Sequence, residues 1–194
     1  LKGSSLEIAY KATAENDTPI SLTNHSYFNL SDEQTVLNHT LTVNSDFITP
    51  VNDTLIPTGE LLAVSGTPFD FTKPQKVGLY IDYPHKQLKI AGGYDHNFVL
   101  KNYGAYEKVA SLYAEDTGIT MDVLTDNFGM QVYSSNFLNN EIGKNGRVHV
   151  KRAAICLETQ NFPNAVNQVS FPSAILKAGE TFVKRTTYSF GVKQ

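Results

Sequence analysis

Cysteine is nearly missing from this sequence: only Cys156 stands among its 194 residues. A disulfide framework is thereby excluded, and so is a four-thiolate zinc site. Positive charge is not in excess either, with 16 Lys+Arg against 19 Asp+Glu and a net charge of −3. Neither a nucleic-acid footprint nor a polybasic membrane patch is expected from that balance. No apolar run nears the roughly 18 residues of a membrane-spanning helix, and no charged-then-apolar start suggests a signal peptide. Internal repeats, low-complexity tracts and a Gly-x-Ser-x-Gly elbow are also missing. Eight prolines spread from Pro19 to Pro172 leave few stretches that could hold a long helix. With 41% hydrophobic residues, 10 Tyr and 11 Phe, what remains reads as a folded globular chain, expected in the cytoplasm.

The pattern that is present has a period of two. Leu6, Ile8, Tyr10 and Ala12 alternate with Glu7, Ala9, Lys11 and Thr13, as in a half-buried strand. Similar strand-like runs recur at Thr40–Val43, Gln87–Ala91, Lys108–Ala114, Ile119–Leu124, Met130–Ser134, Arg147–Leu157 and Thr181–Phe190. Asp116-Thr117-Gly118 and Asn145-Gly146 read as hairpin turns, because Gly and Asn tolerate φ > 0. Abundant Asn (16) and Thr (18) favour turns and strands over helix interiors. The expectation is one all-β unit over residues 1–194, with an antiparallel β-sandwich as its architecture.

Three stretches concentrate polar groups among apolar ones. In Thr23-Asn24-His25-Ser26-Tyr27-Phe28-Asn29-Leu30, aromatics and amides flank a histidine that could do acid/base work. The competing reading is a histidine satisfied in a turn. In Gly92-Gly93-Tyr94-Asp95-His96-Asn97-Phe98, two glycines allow a sharp bend or close approach to a ligand before Asp95 leads into an apolar strand. A carboxylate there could accept from paired sugar hydroxyls, or merely cap the turn. In Ile155-Cys156-Leu157-Glu158-Thr159-Gln160-Asn161-Phe162-Pro163-Asn164-Ala165, Glu158 sits at the end of an apolar run, where desolvation could raise its pKa. It could equally be an edge-strand carboxylate in solvent. Cys156 lies in an apolar run and reads as packing, while His39, His85 and His149 lack companions at metal-ligand spacing. Of five Asn-x-Ser/Thr strings, the one at Asn24 would place a glycan beside His25, which argues against secretion if His25 is functional.

Taken in order, these segments resemble the aldose 1-epimerase, or galactose mutarotase, family. The matching strings are Thr-Asn-His-Ser-Tyr-Phe-Asn-Leu at 23–30, Gly-Gly-Tyr-Asp-His-Asn-Phe at 92–98 and Leu-Glu-Thr-Gln-Asn-Phe-Pro-Asn-Ala at 157–165. Supporting matches are Ile56-Pro57-Thr58-Gly59, Pro68-Phe69-Asp70-Phe71, Gln131-Val132-Tyr133 with Asn136-Phe137, and Lys177-Ala178-Gly179-Glu180.

The resemblance implies a large antiparallel β-sandwich, the mutarotase-like supersandwich, whose open face binds a monosaccharide such as glucose or galactose. It implies interconversion of α and β anomers without cofactor or metal. His25 falls on the general acid, Glu158 on the general base, Asp95 on a hydroxyl-binding carboxylate and Gln131 on a glutamine near the sugar. Tyr27, Phe28 or Phe162 could pack on the sugar's C–H surface. The family also uses an arginine and a second histidine from an earlier segment. This chain matches the family's C-terminal portion, so an N-terminal segment of the same protein is expected to complete the pocket. A non-catalytic carbohydrate-binding sandwich and an inactive relative of the enzymes are the alternatives.

Overall fold

The computed structural model describes residues 1–193. In chain order its strands are β1 (Ser5–Thr13), β2 (Thr18–Pro19), β3 (Thr40–Val43), β4 (Ser45–Thr49), β5 (Leu62–Ala63) and β6 (Gln75–Lys76). A helix, α1 (Lys86–Ala91), precedes β7 (Asp95–Leu100), β8 (Glu107–Tyr113), β9 (Ile119–Thr125), β10 (Gly129–Tyr133) and β11 (Glu141–Ile142). Last come β12 (Val148–His149), β13 (Cys156–Gln160), β14 (Ile175–Leu176) and β15 (Thr181–Val192).

Two antiparallel sheets hold the larger strands. One runs β1-β15-β9-β8-β3-β6, and the other β13-β10-β7-β4-β5. Both are amphipathic for the reason the sequence suggested, since alternate residues face opposite ways. Leu41, Val43, Leu112, Met121, Val123 and Tyr188 from the first sheet join Ile48, Phe98, Met130, Val132 and Leu157 from the second in one buried cluster. That cluster makes the pair a sandwich. Burying each such side chain stabilises by roughly 1.5–3 kcal/mol. The layers are also hydrogen-bonded across the core: the Tyr188 hydroxyl on β15 donates to the Leu157 carbonyl on β13 at 2.8 Å.

The all-β expectation holds, and both hairpin turns form. Gly118 (φ 69°) joins β8 to β9, while Asn145 (φ 57°) and Gly146 (φ 74°) join β11 to β12. Two strand-like runs are corrected. Gln87–Ala91 is not a strand but most of α1. The ring Nδ1 of His85 accepts from the Gln87 N–H at its start, Gly92 ends it in the left-handed region, and Gln87, Leu88 and Ala91 supply a buried side. Five apolar-flanked residues cannot distinguish one helical turn from a strand. The Arg147–Leu157 run is also not continuous, because the chain turns at Arg152 (φ 66°) between β12 and β13.

Gly93 is where the turn before β7 demands glycine. Its φ is 148°, and a Cβ there would lie 2.3 Å from the Asn136 amide oxygen. Asn136 cannot retreat, since its Nδ2 donates to the Ala91 and Tyr94 carbonyls, both at 2.9 Å. Gly66 (φ 72°) has nothing within 4 Å of such a Cβ. Gly66→Ala should therefore cost only the backbone penalty of about 1 kcal/mol. Gly93→Ala adds steric overlap and should cost about 3 kcal/mol or more in denaturant unfolding. Equal costs at the two positions would show that the Asn136 cradle is not rigid.

Candidate active site

The pleat of the five-stranded sheet decides which polar side chains meet. With Met130 and Val132 committed to the core, Gln131 and Tyr133 of β10 point to the opposite face. Register pairs Gln131 with Glu158 on β13 and Asn97 on β7, and Tyr133 with Cys156 and Asp95. Directly opposed antiparallel residues share a face, so Asp95, Gln131, Tyr133, Cys156 and Glu158 are brought together. Glu158 lies in mid-strand rather than at the strand end expected from sequence, and at 7% exposure it is no solvent carboxylate.

His25 reaches this face from a loop. The Phe28 and Ile155 backbones exchange hydrogen bonds, each 2.9 Å, immediately before β13 begins. Phe28 is anchored by its ring, 4.8 Å from that of Tyr188 in the core. Asn29 donates to the Ala153 carbonyl at 3.0 Å, and the Asn24 side chain accepts from the Ser26 N–H at 3.2 Å. So held, His25 stacks on Tyr27 with ring centres 5.0 Å apart and places its Nε2 3.6 Å from Glu158 Oε1.

The resulting cleft has a volume of about 330 Å³ and is lined by His25, Tyr27, Asp95, Gln131, Tyr133 and Glu158, with Phe137, Gln160 and Pro163 at its edges. All four sequence-selected site residues are in it. Burial pushes the Glu158 carboxyl up to about 7; the nearby Asp95 adds to the rise and His25 opposes it. Its carboxylate accepts no hydrogen bond within the described residues, and the half-exposed His25 ring lies 3.6 Å from it. Burial also raises Asp95, against the hydrogen bond it accepts from Gln131 Nε2 at 2.7 Å. Gln131 is in turn oriented by Gln160, whose Nε2 donates to its Oε1 at 3.4 Å. The arrangement can move protons between a buried base and an exposed imidazole while a carboxylate–amide pair holds hydroxyls.

Of the three aromatics suggested for the sugar face, only Tyr27 is at the cleft. Phe28 turns into the main core, and Phe162 packs on Phe171 in a smaller cluster. Tyr133 and Phe137 line the cleft instead. Tyr133 and Gln160 were findable by parity, each two residues beyond a selected position on its strand. Of the remaining histidines, His39 is buried and accepts from the Leu30 N–H, and His96 is buried with its Nε2 on Gln87 Oε1. A larger groove of about 550 Å³, lined in part by Asp70, Lys73, Tyr80 and Tyr83, shares no lining residue with this cleft.

The family profile described as aldose 1-epimerase matches residues 1–189. This chain belongs to the aldose 1-epimerase family. It is 42% identical to a galactose mutarotase of Sus scrofa over 99% of its own length and 56% of that relative's. The aldose epimerase homologue of C. elegans superposes with a TM-score of 0.85 at 28% identity, covering all of this chain and 57% of that structure. The galactose 1-epimerase of Lactobacillus acidophilus gives 0.85 at 25% identity, over 98% of this chain and 54% of that one. The chain thus spans little more than half the length of these epimerase relatives.

The raised Glu158 pKa has a consequence for stability in this epimerase fold. Its carboxyl goes from its ordinary 4.5 to about 7 on burial, so the folded state resists ionisation that the unfolded state accepts. The stability attached to the protonated form is complete below about pH 4.5 and is lost as pH rises through 7. Glu158→Gln, which cannot ionise, should unfold at higher denaturant than the parent at pH 8, by about 1–3 kcal/mol. The gap should close toward pH 5. A variant equally or less stable than the parent at pH 8 would show that Glu158 ionises there without strain.

Proposed function

We propose that this protein is an aldose 1-epimerase that interconverts the α and β anomers of aldohexoses such as glucose and galactose. The observation that carries the reading is the apposition of His25 and Glu158, 3.6 Å apart across an open cleft, with the carboxyl held near 7 by burial. Mutarotation needs one proton removed and another delivered, and needs no nucleophile. Ionised Glu158 takes the proton of the anomeric hydroxyl while protonated His25 gives one to the ring oxygen. The anomeric C–O ring bond breaks, an aldehyde forms, and rotation about the adjacent C–C bond presents its other face. On closure His25 recovers the proton from the ring hydroxyl and Glu158 returns its own to the aldehyde oxygen. Both groups end as they began.

Asp95 and Gln131 are assigned to sugar hydroxyls, which a carboxylate and an amide can bridge, and Tyr27 and Tyr133 to the C–H faces. A preceding segment of the same protein is the proposed source of the remaining sugar contacts, and the cytoplasm the proposed location. A glycan on Asn24 would crowd His25 at the cleft mouth, which favours an unglycosylated protein.

Glu158→Gln and His25→Asn should each lower kcat for mutarotation of α-glucose or α-galactose about 10²-fold or more, with folding intact. Asp95→Asn should act mainly on KM, because it removes a charge-assisted hydrogen bond. The acidic limb of kcat/KM should rise with pH through about 7 as Glu158 loses its proton. Polarimetry reads all of these. Near-parental rates in either folded acid/base variant would remove that residue from the mechanism.

A further inference from the structure

Cys156 is unused by the acid/base chemistry, yet it lies within it. It is fully buried, two residues before Glu158 on the same strand face. One donor atom each from Cys156, Glu158 and His25 lie within 4.8 Å of one another. We infer that these three side chains form a binding site for a thiophilic divalent cation such as Zn²⁺, and that its occupancy switches the epimerase off.

Two observations point to a ligand. The Glu158 side chain, only 9% exposed, faces the cleft without a hydrogen bond within the described residues. The donor set is the other. Thiolate, imidazole and carboxylate are ligands that zinc takes in tetrahedral sites, at about 2.3, 2.0–2.1 and 2.0–2.2 Å. Tetrahedral donors at those lengths sit roughly 3.3–3.8 Å apart, a spacing His25 Nε2 and Glu158 Oε1 already have at 3.6 Å. His25, half-exposed on a loop, is free of the sheet and can adjust toward the thiol. Cys156 and Glu158, fixed in β13, provide the rigid half. The fourth position faces the open cleft and would take water or a sugar hydroxyl.

Binding exchanges a proton for the metal: the Cys156 S–H bond breaks, a Zn–S bond forms, and the proton leaves to solvent, so affinity rises with pH. The metal would also occupy the lone pairs of His25 and Glu158 on which proton transfer depends. Inhibition therefore rests on the epimerase reading, whereas metal binding does not.

The test uses the full protein and two probes. Calorimetric titration should show one Zn²⁺ equivalent bound, and Co²⁺ should give a near-ultraviolet thiolate-to-metal band with visible absorption of tetrahedral intensity. Cys156→Ser should abolish that band and weaken Zn²⁺ binding at least tenfold. His25→Asn, an exposed change that leaves folding alone, should weaken it comparably. In the same samples mutarotation should fall in step with Zn²⁺ occupancy and return with a chelator. A Co²⁺ spectrum without a thiolate band, or Zn²⁺ affinity unchanged in both variants, overturns the metal site and leaves the epimerase reading intact. Metal binding as described in a protein with no anomer exchange overturns the epimerase reading and leaves the site standing.

Discussion

Side-chain alternation along β7, β10 and β13 constrains everything else, because the residues these strands commit to the core dictate which ones meet at the cleft. Phe98, Met130, Val132 and Leu157 are each at most 1% exposed. A one-residue slip in register would expose them and drive Gln131 and Glu158 into the core. At roughly 1.5–3 kcal/mol per buried side chain, four such losses rival the whole stability of an ordinary domain. The juxtaposition of Asp95, Gln131 and Glu158 is therefore protected by the same energy that holds the sandwich together. No separate device is needed to align them.

The His25 side of the cleft is built differently. His25 belongs to no sheet, and its position derives from the Phe28–Ile155 backbone pair and the Phe28 ring seated against Tyr188 and Phe190. A carboxyl fixed in a strand thus faces a half-exposed imidazole on a loop. The 3.6 Å between them is longer than a hydrogen bond, and a loop residue can close on a substrate where a strand residue cannot. Tyr27, stacked on the imidazole, moves with it or limits its swing.

Much of this was legible in the sequence because period two is a strong signal for strands of four or more residues. Thr40–Val43 coincides with β3, and the runs at Lys108–Ala114 and Ile119–Leu124 fall within a residue of β8 and β9. His25, Asp95 and Glu158 were selected from local strings and Gln131 through the family resemblance, and all four line one cleft. What stayed hidden depends on distant partners. A six-residue helix has too few turns to show periodicity. The break at Arg152 uses a left-handed conformation without glycine to announce it. Phe28 and Phe162 sit in strings as aromatic as that of Tyr27, and only the layer beneath each decides that they turn inward.

The cleft also concentrates groups that a sheet selected for stability alone would not bury. Glu158 makes no hydrogen bond among the described residues and has the His25 ring 3.6 Å away, while Asn97, on the same sheet face but outside the cleft lining, buries both amide atoms without a partner among the described residues. Unsatisfied buried polar groups typically cost about 1–3 kcal/mol each, and functional sites are where such costs persist. Desolvation is what lifts Glu158 to a working pKa near neutrality. It also leaves the carboxylate short of positive charge. Any cation that enters the cleft and escapes hydration can meet that need, and a metal ion that also suits the neighbouring thiol is one such cation. Raising a carboxyl's pKa by burial and making it receptive to cations are consequences of one physical choice, and in the proposed metal site Cys156, two residues away on the same face, would set the preference for thiophilic cations.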